Sequence, residues 1–111
     1  MNWIPLRSTE ELEQVILLSQ EKPQVIFKHS TTCSISSVAK NRLEKATAPE
    51  ETPFYYLDLL SYRSLSNSIA DRFSVQHESP QILVIKDGKC VYDESHMGIN
   101  MDEIKDQLQL N

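Results

Sequence analysis

Hydrophobic positions along the chain change period several times, and each change marks an element. Leu12, Val15 and Ile16 recur three and four residues apart after Ser8. Glu11 stands three residues beyond Ser8, so the two form a capping box. This pattern predicts a first helix that ends near Glu21-Lys22-Pro23, because proline cannot continue a helix. Val25-Ile26-Phe27 is a short continuous apolar run with β-branched residues, the pattern of a buried strand. After the polar stretch His29-Ser30-Thr31-Thr32, apolar spacing returns to the helical period at Ile35, Val38, Ala39, Leu43 and Ala46. The second helix therefore starts at or just after Cys33.

Pro49 and Pro53 bracket a loop, and Phe54-Tyr55-Tyr56-Leu57-Asp58-Leu59 reads as the second strand. A third helix is expected from about Ser61 to Phe73, with Leu65, Ile69 and Phe73 on one face. The loop Gln76–Pro80 leads to a third strand, Ile82-Leu83-Val84-Ile85. Asp87-Gly88 is a strong hairpin-turn signal, so Val91-Tyr92 is expected to pair as a fourth strand. Asn100 caps a last helix with Glu103 at the reciprocal position and Met101, Ile104 and Leu108 as its stripe. The order α-β-α-β-α-β-β-α implies parallel strands joined by right-handed crossovers, with the hairpin adding antiparallel strands. The expected architecture is a three-layer α/β/α sandwich on a four-stranded mixed sheet. Trp3 is expected to pack in the core or at the terminus.

A chain of 111 residues suits one domain spanning 1–111. With 40% apolar and 24% charged residues it has the composition of a folded protein rather than a disordered one. Its net charge is −5, and no Lys/Arg run tracks a phosphate backbone, so nucleic acid is not an expected partner. Neither a signal-peptide pattern nor an apolar run of membrane-spanning length is present, and a cytoplasmic location is the default. Two cysteines, Cys33 and Cys90, are too few for a disulfide framework, and no metal-type spacing joins them to the three histidines.

Cys33 carries the candidate chemistry. The nucleophilic form of cysteine is the thiolate. A helix N-terminus offers unpaired N–H groups and the positive end of the helix dipole, and both favour that form. Ser36 takes the place of the second cysteine of a Cys-x-x-Cys motif. It can hydrogen-bond the sulfur of Cys33 but cannot form a disulfide with it. The flanking Thr32 and Ser34 present hydroxyls and N–H groups to the same point. Such a site makes a mixed disulfide with a partner, and a separate thiol resolves it.

Thr32-Cys33-Ser34-Ile35-Ser36 after a buried strand, with Ser79-Pro80 before a later one, resembles the thioredoxin/glutaredoxin superfamily. That resemblance implies a cis bond at Pro80 beside the nucleophile and a Ser79 backbone that pairs with the substrate chain. Over nearly its whole length the sequence is similar to the YtxJ family, the monothiol bacilliredoxins. The similarity rests on Phe27-Lys28-His29-Ser30, Thr32-Cys33-x-Ile35-Ser36, Glu78-Ser79-Pro80-Gln81, Lys86-Asp87-Gly88 and Ser95-His96. The family usually has proline directly after the cysteine, where this chain has Ser34. The resemblance implies a thiol–disulfide oxidoreductase that removes bacillithiol from S-bacillithiolated proteins. Bacillithiol is then a co-substrate, with a low-molecular-weight thiol as the second partner. No tightly bound cofactor is expected, and the expected state is a monomer. It also implies that Lys28 helps hold the carboxylate of the thiol ligand.

Cys90 has two readings, a resolving thiol for the mixed disulfide or a half-buried strand residue. Bridging it to Cys33 needs Cα atoms within about 7 Å. His29, His77 and His96 have no committing spacing and are expected in loop or surface roles. Two other functions stay open. A glutathione-linked monothiol glutaredoxin is one, although Ser34-Ile35 departs from its Cys-Gly-Phe-Ser site. A non-catalytic thioredoxin-like peptide-binding module is the other.

Overall fold

The computed structural model describes residues 1–109. Its elements in chain order are β1 (Trp3–Pro5), α1 (Thr9–Leu18), β2 (Gln24–His29), α2 (Ser34–Lys45), β3 (Phe54–Asp58), α3 (Arg63–Phe73), β4 (Gln81–Lys86), β5 (Lys89–Ser95) and α4 (Met101–Gln109), with a 3-10 turn at His96–Gly98 before α4. The sheet runs β1-β3-β2-β4-β5. β2 pairs in parallel with β3 and antiparallel with β4, and β4 pairs antiparallel with β5.

The expected α/β sandwich is present, but its sheet has five strands, not four. The addition is β1, an edge strand parallel to β3. Three residues ending in proline are too short to show a period, and proline fits a sheet edge because it lacks a ladder donor. Trp3 of this strand packs on Phe27 at 5.5 Å between ring centroids and edge-on against Phe54 and Tyr56. The predicted packing role of Trp3 thus holds, inside a strand.

Alternation along the strands builds two half-cores. Ile26, Leu57, Leu83 and Ile85 face Leu12 and Val15 of α1 and Leu65 and Ile69 of α3. Val25, Phe27, Ile82 and Val84 face Ala39 and Leu43 of α2 and Ile104 of α4. β2 is buried along its whole length, which explains its unbroken apolar run.

Local signals set most boundaries. Ser8 Oγ accepts the Glu11 amide at 3.1 Å, and the Glu11 carboxylate accepts the Arg7 amide at 2.7 Å, closing the start of α1. The Asn100 side-chain oxygen accepts the Glu103 amide at 2.9 Å and does the same for α4. Asp87 and Gly88 both take positive φ, 52° and 75°, the signature of a type I′ hairpin turn. The turn is tied to the end of α1, where the Asp87 amide donates to the Ser19 carbonyl and the Gly88 amide to Ser19 Oγ. β5 extends well beyond the expected Val91-Tyr92, because its alternating exposed residues give it little apolar signal.

Candidate functional site

The loop after β2 carries Cys33 to the N-cap of α2, with φ −103° and ψ 120°. Its amide donates to the Ser30 carbonyl and its carbonyl accepts from the Ser37 amide. The sulfur takes no capping hydrogen bond, and α2 has no acidic residue in its first turn. Cys33 is therefore a half-buried thiol facing the positive end of an uncompensated helix dipole. Ser34 and Thr32 flank it in exposed positions, and Thr32 shares a 3.3 Å hydrogen bond with Ser30.

Lys28 pairs with Gln81 across the β2–β4 ladder. The residue before Gln81 is Pro80, and the Ser79–Pro80 bond is cis, as the resemblance implies. The register thus sets Ser79-Pro80 at the same end of the sheet as the Cys33 loop. Ser79 Oγ and Gln81 Oε1, on either side of Pro80, are buried and have no hydrogen-bond partner among the described residues.

Ser36 is buried, but its hydroxyl is held by the end of β2 rather than by the sulfur. It accepts the Ser30 amide at 3.0 Å and lies 2.7 Å from His29 Nδ1. His29 is buried between Phe27 and Tyr56. Burial, with the nearby Lys40 cation, lowers its pKa below the ordinary histidine value. Ser36 and His29 together fix the turn from which the cysteine loop departs.

Lys28 departs most from its expected role. Its side chain is 0% exposed. The ammonium donates to the Ser66 carbonyl at 3.1 Å and lies 3.3 Å from His77 Nδ1. Burial lowers its pKa from 10.5 to about 8. β2 is a central strand covered on both faces, and the Lys28 side chain lies in the layer under α3, with its ammonium between Ser66 and His77.

Cys90 does not join the site. It lies opposite Ile85, at the other end of β4 from Gln81. Four residues of strand separate those positions, about 13 Å, beyond disulfide reach of the Cys33 end. Its thiol donates to the Tyr92 carbonyl, and burial raises its pKa to about 11. A resolving thiol needs the opposite properties.

Of the three histidines expected in loop or surface positions, His29 is instead buried at the end of β2, while His77 and His96 lie around Ser79-Pro80. His77 Nδ1 meets both Lys28 and Ser66 Oγ at 3.3 Å. An ammonium only donates, so His77 Nδ1 is the acceptor and the ring proton sits on Nε2. Burial, and then the Lys28 charge, lower the His77 pKa. His96 adopts the left-handed region at φ 56°, and its amide donates to the Pro80 carbonyl at 3.0 Å. Its ring lies 3.5 Å from the Glu78 carboxylate. Among the described residues, no group of three or more His, Cys, Asp or Glu is placed to hold a metal. Among the described residues, no helix is long and apolar enough to cross a membrane.

Comparison with known proteins agrees with this geometry. The family described as Monothiol bacilliredoxin BrxC matches residues 4–104. A candidate oxidoreductase with a thioredoxin fold is 36% identical, with a TM-score of 0.81 over 93% of this chain and 90% of that one. Thioredoxin from Malassezia sympodialis superposes with a TM-score of 0.74 at 15% identity, covering 96% of this chain and 88% of its own. Fasciola hepatica thioredoxin gives 0.71 at 22% identity, covering 94% of each chain. These last two likenesses speak to the fold alone.

Proposed function

The chain belongs to the monothiol bacilliredoxin family, and from that premise we propose that it removes bacillithiol from S-bacillithiolated proteins through a mixed disulfide on Cys33. Membership makes it a thiol–disulfide redox protein with a thioredoxin fold. The observation that carries the finer reading is the pairing of one half-buried thiol at the start of α2 with cis Ser79–Pro80, while the second thiol lies at the far end of the sheet, bonded to the Tyr92 carbonyl.

The Cys33 thiolate attacks the bacillithiol sulfur of a protein–bacillithiol disulfide. The protein leaves as a thiolate and takes a proton, and Cys33 carries the bacillithiol. One disulfide is exchanged for another, so no net oxidation occurs. A low-molecular-weight thiol then attacks the adduct, releases a small disulfide and restores Cys33. The sulfur, as attacker and as leaving group, lies at the α2 N-terminus, beside that helix's free N–H groups. Ser34, where the family usually has proline, keeps an N–H near the sulfur. The backbone of Ser79 is the surface along which the substrate chain pairs. The protein works as a cytoplasmic monomer, with neither a bound cofactor nor nucleic acid.

The test mixes reduced protein with a bacillithiol mixed disulfide of a model protein and follows both by intact mass. Transfer of the adduct to the wild type but not to Cys33→Ser, with Cys90 retained, supports the reading. Transfer from a glutathione mixed disulfide alone moves the assignment to a glutaredoxin. No transfer from either leaves a peptide-binding module.

A further inference from the structure

We propose that Lys28, acting through His77, is a positioning residue for the loop that presents Ser79 to the incoming disulfide. The proposal rests on the reading of Cys33 as the nucleophile. The loop from Ser74 to Pro80 has no regular secondary structure of its own. It is held from two sides. Outside, the His96 amide takes the Pro80 carbonyl and the His96 ring meets Glu78. Inside, His77 is held by the Lys28 ammonium and Ser66 Oγ, and the Gln76 carbonyl accepts the Gln81 side-chain amide at 2.9 Å.

Lys28 is tethered at its far end to the Ser66 carbonyl of α3. It therefore spans from the central strand and α3 to the loop, a rigid strut rather than a surface cation. A buried ammonium carries a desolvation cost. Its presence one residue from the end of β2, against the one histidine of the Ser74–Pro80 loop, is accounted for by the loop it fixes. The charged and titratable groups around this contact are His77 and Glu78 of the loop, Arg63 of α3 and His96 of the turn.

The test compares wild type, Lys28→Met, His77→Leu and His77→Asn. The substrate is a chromogenic peptide–thionitrobenzoate mixed disulfide, which is independent of bacillithiol. Attack by Cys33 releases thionitrobenzoate and leaves the peptide on Cys33. An added low-molecular-weight thiol, its uncatalysed rate subtracted, takes the peptide off as a mixed disulfide and restores Cys33. Asn restores an acceptor near the position of Nδ1, and Leu does not. Lys28→Met and His77→Leu are expected to raise KM about tenfold with kcat within about twofold, because misplacing a binding edge weakens binding without touching the reacting atoms. His77→Asn is expected to return KM to within about twofold of wild type. Iodoacetamide alkylation of Cys33, which needs no loop, is expected to keep its rate in all four. Wild-type kinetics in Lys28→Met overturn the proposal. So does a parallel loss of alkylation rate, or a His77→Asn no better than His77→Leu. If Lys28→Met does not fold, the two His77 variants decide alone. A wild type that turns over this peptide but no bacillithiol disulfide refutes the substrate assignment and leaves the positioning test intact. A wild type that turns over neither ends both.

Discussion

Burial lowers the Lys28 ammonium to about 8 and raises the Cys90 thiol to about 11, and the two shifts act oppositely on folding. Between about pH 8 and 10.5 the unfolded chain holds a proton on Lys28 that the folded chain has released, so this group makes stability rise with pH. Between 9.0 and about 11 the folded chain keeps the Cys90 proton that the unfolded chain has lost, so this group makes stability fall. Denaturant unfolding at pH 8 and 10.5 separates them. Wild type is expected to gain on Lys28→Met by as much as about 3 kcal/mol across that window. Cys90→Ala is expected to lose less stability than wild type over the same rise. At this scale the sequence was partly legible. Cys33, Ser79 and Pro80 announce themselves through their immediate neighbours. His77 and His96 do not, because their partners come from other elements; Lys28 and His77 are 49 residues apart. Lys28 was visible as a residue but not as a buried one, since a lysine ending an apolar run is usually read as reaching solvent.

Elements with local signals appeared where the sequence placed them. Ser8 caps α1 through the Glu11 amide, and Ser8→Ala is expected to cost about 1 kcal/mol in thermal or denaturant unfolding. The Asp87-Gly88 turn and the apolar runs of β2 and β4 were equally plain. β1 was not, because its membership depends on β3 lying alongside it and on Trp3 covering Phe27. Trp3 Nε1 also donates to the Glu44 carboxylate at 2.8 Å, tying the edge strand to α2. Trp3→Ala is therefore expected to destabilise by about 2 kcal/mol, below the cost for a fully buried aromatic because Trp3 is half-buried. Differential scanning calorimetry checks it. The sequence pattern runs α1 on toward Pro23, but the helix stops at Leu18 and the chain turns through Ser19, whose hydroxyl and carbonyl are taken by the hairpin.

The whole molecule keeps its two thiols apart along the length of the sheet. Mild oxidation of reduced protein is therefore expected to give no intramolecular disulfide: intact mass should show adducts or dimers through Cys33 and no monomer lighter by two hydrogen atoms. Alkylation followed by peptide mapping is expected to mark Cys33 long before Cys90, whose thiol is bonded to the Tyr92 carbonyl and held protonated with its pKa raised to about 11. The same polarity has a practical side. The Asp87-Gly88 tip is stitched to Ser19, lies at the end of β4 remote from Pro80, and is followed by the exposed Lys89. It is a built-in handle: a dye or a surface tether mounted there rides on a stiff corner of the molecule and leaves the chemical end facing open solution.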